Sequence, residues 1–180
     1  VAHLLPNVDP VRKISIVARG SMGGYTRLLT EDRYFMTATQ FRETLATLVS
    51  GHASEEMMFG EISTGPHSDI KQATALARKM VTDFGMSEKL GLRTFGQQTV
   101  SGYLGFSPPE QRDYSEEVAR QIDEEVFRIM AEARQVAKKL LHENKPRLVH
   151  IAEKLLVKEV LEGPELETVF TEPLSEKPAQ

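Results

Sequence analysis

Ser115-Glu116-Glu117-Val118-Ala119-Arg120-Gln121-Ile122-Asp123-Glu124-Glu125-Val126-Phe127-Arg128-Ile129-Met130-Ala131-Glu132-Ala133-Arg134-Gln135-Val136-Ala137-Lys138-Lys139-Leu140 is the stretch that decides the fold class. Val118, Ile122, Val126, Ile129, Ala133, Val136 and Leu140 recur at spacings of 4, 4, 3, 4, 3 and 4, a near-heptad apolar stripe on one helix face. Glu116 and Glu117 fall in the first turn, where the helix dipole favours acids. Asn144-Lys145-Pro146 breaks the helix, and Leu148, Ile151, Ala152 and Leu155 build a shorter one running back, a C-terminal helical hairpin. Gly163-Pro164-Glu165 opens a last short helix through Phe170, and 171–180 reads as a polar, frayed tail.

Upstream the period is again helical. Phe41, Leu45, Leu48, Val49, Ala53 and Met57 mark one long helix from about Thr37, with Gly51 inside it, where close packing is the expected reason for a glycine. Gly60 and Ser63-Thr64-Gly65-Pro66 end it. A second helix starts near Ser68 or Asp69 and turns Ile70, Ala73, Ala77, Met80, Val81 and Phe84 inward, with Gly85 placed to terminate it. At the front, Val11 to Ala18 reads as a strand with Ile14 and Ile16 opposite Lys13 and Ser15, and Tyr25 to Leu29 as a second. The two form a hairpin that leaves a sheet edge open unless something covers it. The fold class is therefore mainly α, with a small β-hairpin and edge strand at the front (α+β there). Three segments and a tail follow: 1–93, a loop or linker over 94–112 that should be cut first by proteases, 113–170, and the tail 171–180.

Composition narrows the function. The 180 residues are 40% hydrophobic, enough for a core, and carry 22 basic against 26 acidic side chains, net −4. That balance argues against a nucleic-acid partner. With no cysteine, a metal site must use His and carboxylate ligands. No apolar run reaches the roughly 18 residues of a membrane helix. Val1-Ala2-His3-Leu4-Leu5-Pro6 reads as the last turn of a helix that begins upstream, so a piece of a longer protein is expected.

Among five histidines, His142 and His150 read as solvated helix surface and His3 as a packing or capping residue. His67-Ser68-Asp69 opens a helix after a Gly-Pro turn. Asp69 is either the N-cap, in a capping box with Gln72, or a metal ligand. Glu55, beside Glu56 and the Met57-Met58-Phe59 run, is either half of a structural ion pair or part of a site. No phosphate loop, GxGxxG or G-x-S-x-G is present, and the basic residues of the C-terminal helices interleave with Glu as solvated faces.

Several motifs, taken in order, carry a resemblance. They are 5–16 (Leu-Pro-Asn-Val-Asp-Pro-Val-Arg-Lys-Ile-Ser-Ile), Gly24-Tyr25-Thr26, Gly51-His52-Ala53-Ser54-Glu55-Glu56, Ser63-Thr64-Gly65, Asp69 with Ala73-Thr74, and Gly85-Met86-Ser87-Glu88-Lys89-Leu90-Gly91. Arg112-Asp113-Tyr114-Ser115 and Ile122-Asp123-Glu124-Glu125-Val126 extend it to about Phe170. Together they resemble the peptidase domain of the FtsH-type proteases, membrane-anchored, ATP-dependent zinc metalloproteases of the AAA class.

The resemblance implies a zinc metalloendopeptidase that degrades unfolded or membrane polypeptides. It implies a homo-hexamer with ATP used in a separate domain, and a peptidase domain that faces the cytoplasm while other segments contact the membrane. A His-Glu-x-x-His helix, which would supply two zinc ligands and the general base, is expected just upstream of Val1. Within these residues there is then no catalytic base. Asp69 maps onto the third zinc ligand, and Glu55 onto a carboxylate beside the site that supports a ligand or is structural. Gly24, Tyr25 and Thr26 map onto the edge that pairs with an extended substrate. The 180 residues alone are expected to be inactive and to bind zinc weakly. Two departures stand out: His52 where the family commonly has Arg, and Pro66-His67-Ser68 where it has Ala-x-Asn; neither His52 nor His67 joins the ligand set. The alternative is a non-catalytic helical module that serves oligomerisation or interaction.

Overall fold

A computed structural model describes residues 1–18, 23–29, 35–96 and 113–174. Most of the expected linker, 97–112, and the end of the tail, 175–180, lie outside the described residues, as does the expected protease-sensitive stretch within that linker. The chain is mainly helical with one small antiparallel sheet, the class expected from the apolar periods. A 3-10 turn (Ala2–Leu4) leads into β1 (Val11–Ser15) and β2 (Tyr25–Leu28). Four helices follow, α1 (Ala38–Leu48), α2 (Ser50–Phe59), α3 (His67–Thr82) and α4 (Glu116–Glu143). The chain closes with α5 (Lys145–Lys158), β3 (Val160–Glu162) and α6 (Gly163–Thr171).

The long helix expected from Thr37 is two helices that meet at Val49. Thr37 caps α1 with Gln40 in a reciprocal capping box, a Thr-x-x-Gln signal legible in the sequence. Val49 keeps its N–H bond to Leu45 and accepts one from Ala53, so the apolar face continues across the junction. Gly51 is not crowded. A Cβ there would lie 3.9 Å from the Pro66 ring, an ordinary contact, so close packing does not account for the glycine. Gly51→Ala should therefore stabilise the protein by about 0.5–1 kcal/mol, since alanine loses less backbone entropy in a helix. A urea titration would read this as a higher midpoint at unchanged slope. A lower midpoint would mean that the junction needs the glycine.

α4 lies against α1, α2 and α3. Its buried residues are Ile122, Glu125, Ile129, Ala133, Ala137 and Leu141, while Val136 is 43% exposed. The near-heptad stripe is thus corrected past Ala133. A straight helix of 3.6 residues per turn drifts off a 3.5 repeat, so steps of four track the core face. Leu45, Ala53, Ala77, Met80 and Val81 complete this core from the other helices. Phe95, within the expected linker, is buried there too: its ring meets Tyr114 edge-on, and its N–H bonds to the Thr82 carbonyl. Phe84, expected inside, is 48% exposed and stacks on Phe41, because α3 ends at Thr82.

The sheet has a third strand that periodicity missed. Its order is β2-β1-β3, with both pairings antiparallel. Three residues are too few to show a period of two, and β3 exists only because β1 offers it an edge. A second core of Val11, Leu155, Leu161, Leu166 and Val169 joins the sheet to α5 and α6. Of the two isoleucines read on one face of β1, Ile14 packs against this core, but Ile16 is corrected. Ser15 is 3% exposed and Ile16 41%, and a register shift between Val11 and Lys13 breaks strict alternation. His3 packs as expected, stacked on Phe170 at 3.8 Å. His150 is not solvated surface: its side chain is 16% exposed and meets Glu172, whose carboxyl it holds below the usual range.

Candidate functional site

The late turns of α2 and the first turn of α3 are joined by a short reversal, 60–66. Gly60 starts it in the left-handed region at φ 70°. Glu55 then reaches across from α2. Its Oε2 accepts the Ser63 N–H at 2.8 Å and its Oε1 the Ser63 hydroxyl at 2.8 Å. The Ser63 Oγ in turn accepts the Gly65 N–H at 3.0 Å. These two bonds from Ser63, the backbone one foremost, hold the Glu55 carboxyl below the usual carboxylate range.

The neighbouring acid takes the ion pair instead. Both oxygens of Glu56 accept from Arg134 Nη2, at 2.9 and 2.7 Å, and Oε1 also meets Lys138 Nζ at 2.9 Å. Both cations lie on α4, so Glu56 ties α2 to the long helix while Glu55 faces the loop. Of the Met57-Met58-Phe59 run beside these acids, Met57 and Met58 are half-buried and Phe59 is 77% exposed.

α3 begins at His67 with Pro66 in the cap position and no side-chain cap bond. Asp69 is the third residue of the helix, so the capping reading of Asp69 with Gln72 fails: the helix starts three residues earlier than a cap at Asp69 requires. The Asp69 carboxylate is half-buried and has no hydrogen bond or ion pair among the described residues. Burial raises its pKa. A desolvated acid without a partner is an arrangement that a bound cation would relieve. Yet no group of three or more His, Asp or Glu side chains that could hold a metal occurs among the described residues. Asp69 fits one ligand position of a metal site and supplies no more than that.

His67 is exposed, and its backbone N–H bonds to the Thr64 carbonyl at 3.2 Å. His52 is half-buried on α2. On the sheet, Tyr25 and Thr26 belong to β2, the outer strand, which pairs with β1 on one side and with no second strand among the described residues. Gly24 precedes it, so close to β1 that a Cβ would stand 2.7 Å from the Ser15 carbonyl oxygen. Only a glycine admits that approach. Ser63 entered the sequence reading as part of a helix-ending turn and a motif, with no role of its own. Its partner lies eight positions back across a reversal, a spacing that no local pattern announces.

A sequence model of peptidase family M41 matches residues 1–169. This chain belongs to peptidase family M41. Among curated relatives, the "ATP-dependent zinc metalloprotease FtsH 1" of Thermomicrobium roseum is 51% identical over 174 residues, which cover 96% of this chain and 27% of the relative. The protein of the same name from Sphaerobacter thermophilus is 49% identical, with 96% and 27% covered. "ATP-dependent zinc metalloprotease FtsH" of Pseudothermotoga lettingae is 45% identical over 179 residues, with 98% and 29% covered. The M41 chain thus spans little more than a quarter of the length of these relatives. No helix among its described residues is long and apolar enough to cross a membrane.

Proposed function

We propose that this M41 chain is peptidase-domain sequence of an ATP-driven zinc endopeptidase that cleaves unfolded or membrane polypeptides. The observation that carries the reading is Asp69: a half-buried carboxylate on the first turn of a helix, without a partner among the described residues. On this reading Asp69 is one zinc ligand, and a His-Glu-x-x-His helix outside these 180 residues brings the other two and the general base. Bound zinc supplies Lewis-acid polarisation of the scissile carbonyl. The outer strand β2, entered through Gly24-Tyr25-Thr26, aligns an extended substrate by main-chain hydrogen bonds. Segments 1–93 and 113–170 serve one peptidase unit, ATP acts in a separate domain, and six copies form the working ring. Membrane attachment belongs to other segments, with the peptidase part on the cytoplasmic side. The names of the relatives support zinc, ATP and proteolysis; the resemblance supports the ring and the membrane.

The test uses the intact protein and an unfolded fluorescent reporter. Dialysis against a chelator should abolish cleavage, and stoichiometric zinc should restore it, with ATP hydrolysis unchanged throughout. Cleavage that survives complete removal of zinc would refute the reading.

A further inference from the structure

We infer that Ser63 is a positioning residue: clipped to Glu55, it sets where the first turn of α3, and with it Asp69, stands relative to α2. The inference rests on the reading of Asp69 as a ligand and adds what holds that ligand in place.

Asp69 has no side-chain bond of its own among the described residues, so its position follows from its helix alone. The start of that helix has no side-chain cap either. What fixes it is the preceding reversal, through a continuous set of bonds. The Glu55 carboxylate grips both the N–H and the hydroxyl of Ser63 at 2.8 Å. The Ser63 hydroxyl oxygen then receives the Gly65 N–H at 3.0 Å. The Thr64 carbonyl accepts the His67 N–H at 3.2 Å, and the Pro66 carbonyl accepts the Ile70 N–H at 3.0 Å. Pro66 is buried against Gly51 of α2.

The clip leaves no slack. A Cβ at Gly65 would stand 3.1 Å from Ser63 Oγ and 3.3 Å from Glu55 Oε1, so the turn lies directly on the bonded pair. Ser63 Oγ both donates to the carboxylate and accepts from Gly65, so it carries the hold of the α2 acid past Ser63 itself to the backbone entering α3. Alanine at position 63 keeps the backbone bond to Glu55 and deletes this link. Threonine keeps the hydroxyl.

The test compares S63A, S63T and D69N in the intact protein by two readouts. The first is zinc affinity by competition with a chromogenic chelator. The second is amide hydrogen exchange in the zinc-free protein, which asks about the turn without any metal. In S63A, zinc should bind about tenfold more weakly, the size of effect typical for residues that orient a ligand. Exchange across 65–72 should quicken while α4 keeps its protection, and S63T should restore both. If S63A exchanges like wild type while D69N loses its zinc, the clip is overturned and the ligand reading stands. If D69N keeps its zinc, the ligand reading falls, and this inference with it. Weaker zinc in S63A that S63T fails to restore would also overturn the role of the hydroxyl.

Discussion

Asp69→Asn in the intact protein should lower zinc affinity and reporter cleavage roughly a hundredfold or more, above the ~10–100-fold that outer partners of a metal site are worth. The size follows from what the substitution removes. Asparagine keeps the shape and one acceptor oxygen but loses the negative charge, and it turns the other oxygen into a donor that cannot ligate. Nothing else should change much. Asp69 makes no hydrogen bond or ion pair among the described residues and does not cap its helix, so fold stability loses no contact. Its desolvation raises its pKa, so the charged form is the costly one before metal binds, and a neutral side chain there should if anything melt slightly higher. The zinc-free variant should thus melt at or just above wild type, hydrolyse ATP normally, and fail to retain zinc on dialysis. Zinc retained at one per chain with normal cleavage would return Asp69 to a surface role. The opposite signs for zinc-free stability and zinc affinity separate a ligand from a structural carboxylate, for which both would fall together.

The second large effect concerns stability. Glu125 on α4 is 4% exposed, in a face otherwise lined by apolar residues. Its carboxylate accepts from Arg128 Nε and Nη2, both at 3.0 Å, and from the Ser87 hydroxyl at 2.8 Å. Ser87 is itself 3% exposed and accepts the Leu90 N–H, so Glu125 anchors the turn after α3 to the long helix. Glu125→Ala should cost roughly 2–3 kcal/mol. That is below the ~3–5 kcal/mol of a fully buried pair broken on one side, because Arg128 is half-exposed and keeps Glu132. For a chain of this length the thermal midpoint should drop by about 5–10 °C. The bonds from Arg128 foremost hold the Glu125 carboxyl below its usual range. A depressed carboxyl contributes stability that is present above its unfolded pKa, near 4.3, and lost as pH falls through the folded value. The loss should therefore be largest at neutral pH and shrink below about pH 4, where wild type has surrendered the same contribution. A variant equally destabilised at pH 7 and pH 3 would mean that the effect is a cavity and not a charge network.

Much of this was legible without coordinates. The apolar periods of α1 to α4 follow from one side of each helix being dry, and that constraint is local enough to read along the chain. Asp69 and Glu55 stood out from the residues only as open alternatives, and Tyr25-Thr26 only as part of a strand. The order of motifs gave them roles, because two acids and a short strand carry no periodic signal. Other features escaped for a common reason. β3, the burial of His150 against Glu172, the exposure of Ile16 and the place of Phe95 in the core all depend on partners distant in sequence. The division of labour between Glu55 and Glu56 shows the same limit. Adjacent acids on a helix point about 100° apart, but only the position of α4 gives Arg134 and Lys138 to one and leaves the Ser63 turn to the other.

The sequence by itself determined that this chain is mainly helical with a small sheet, where most of the helices begin and end within a few residues apart from the break at Val49, and which family it belongs to. Those properties are set by neighbours three or four positions apart and by ordered motifs. Only the tertiary structure decided that β1 is a central strand, that α4 presents Ala137 and Leu141 in place of Val136, and that Asp69 stands in the first turn of α3 without a partner among the described residues. Each of these turns on which groups, far apart along the chain, exclude water from one another. A linear pattern records that a residue is apolar or acidic, whereas burial and pairing are properties of the surface it meets.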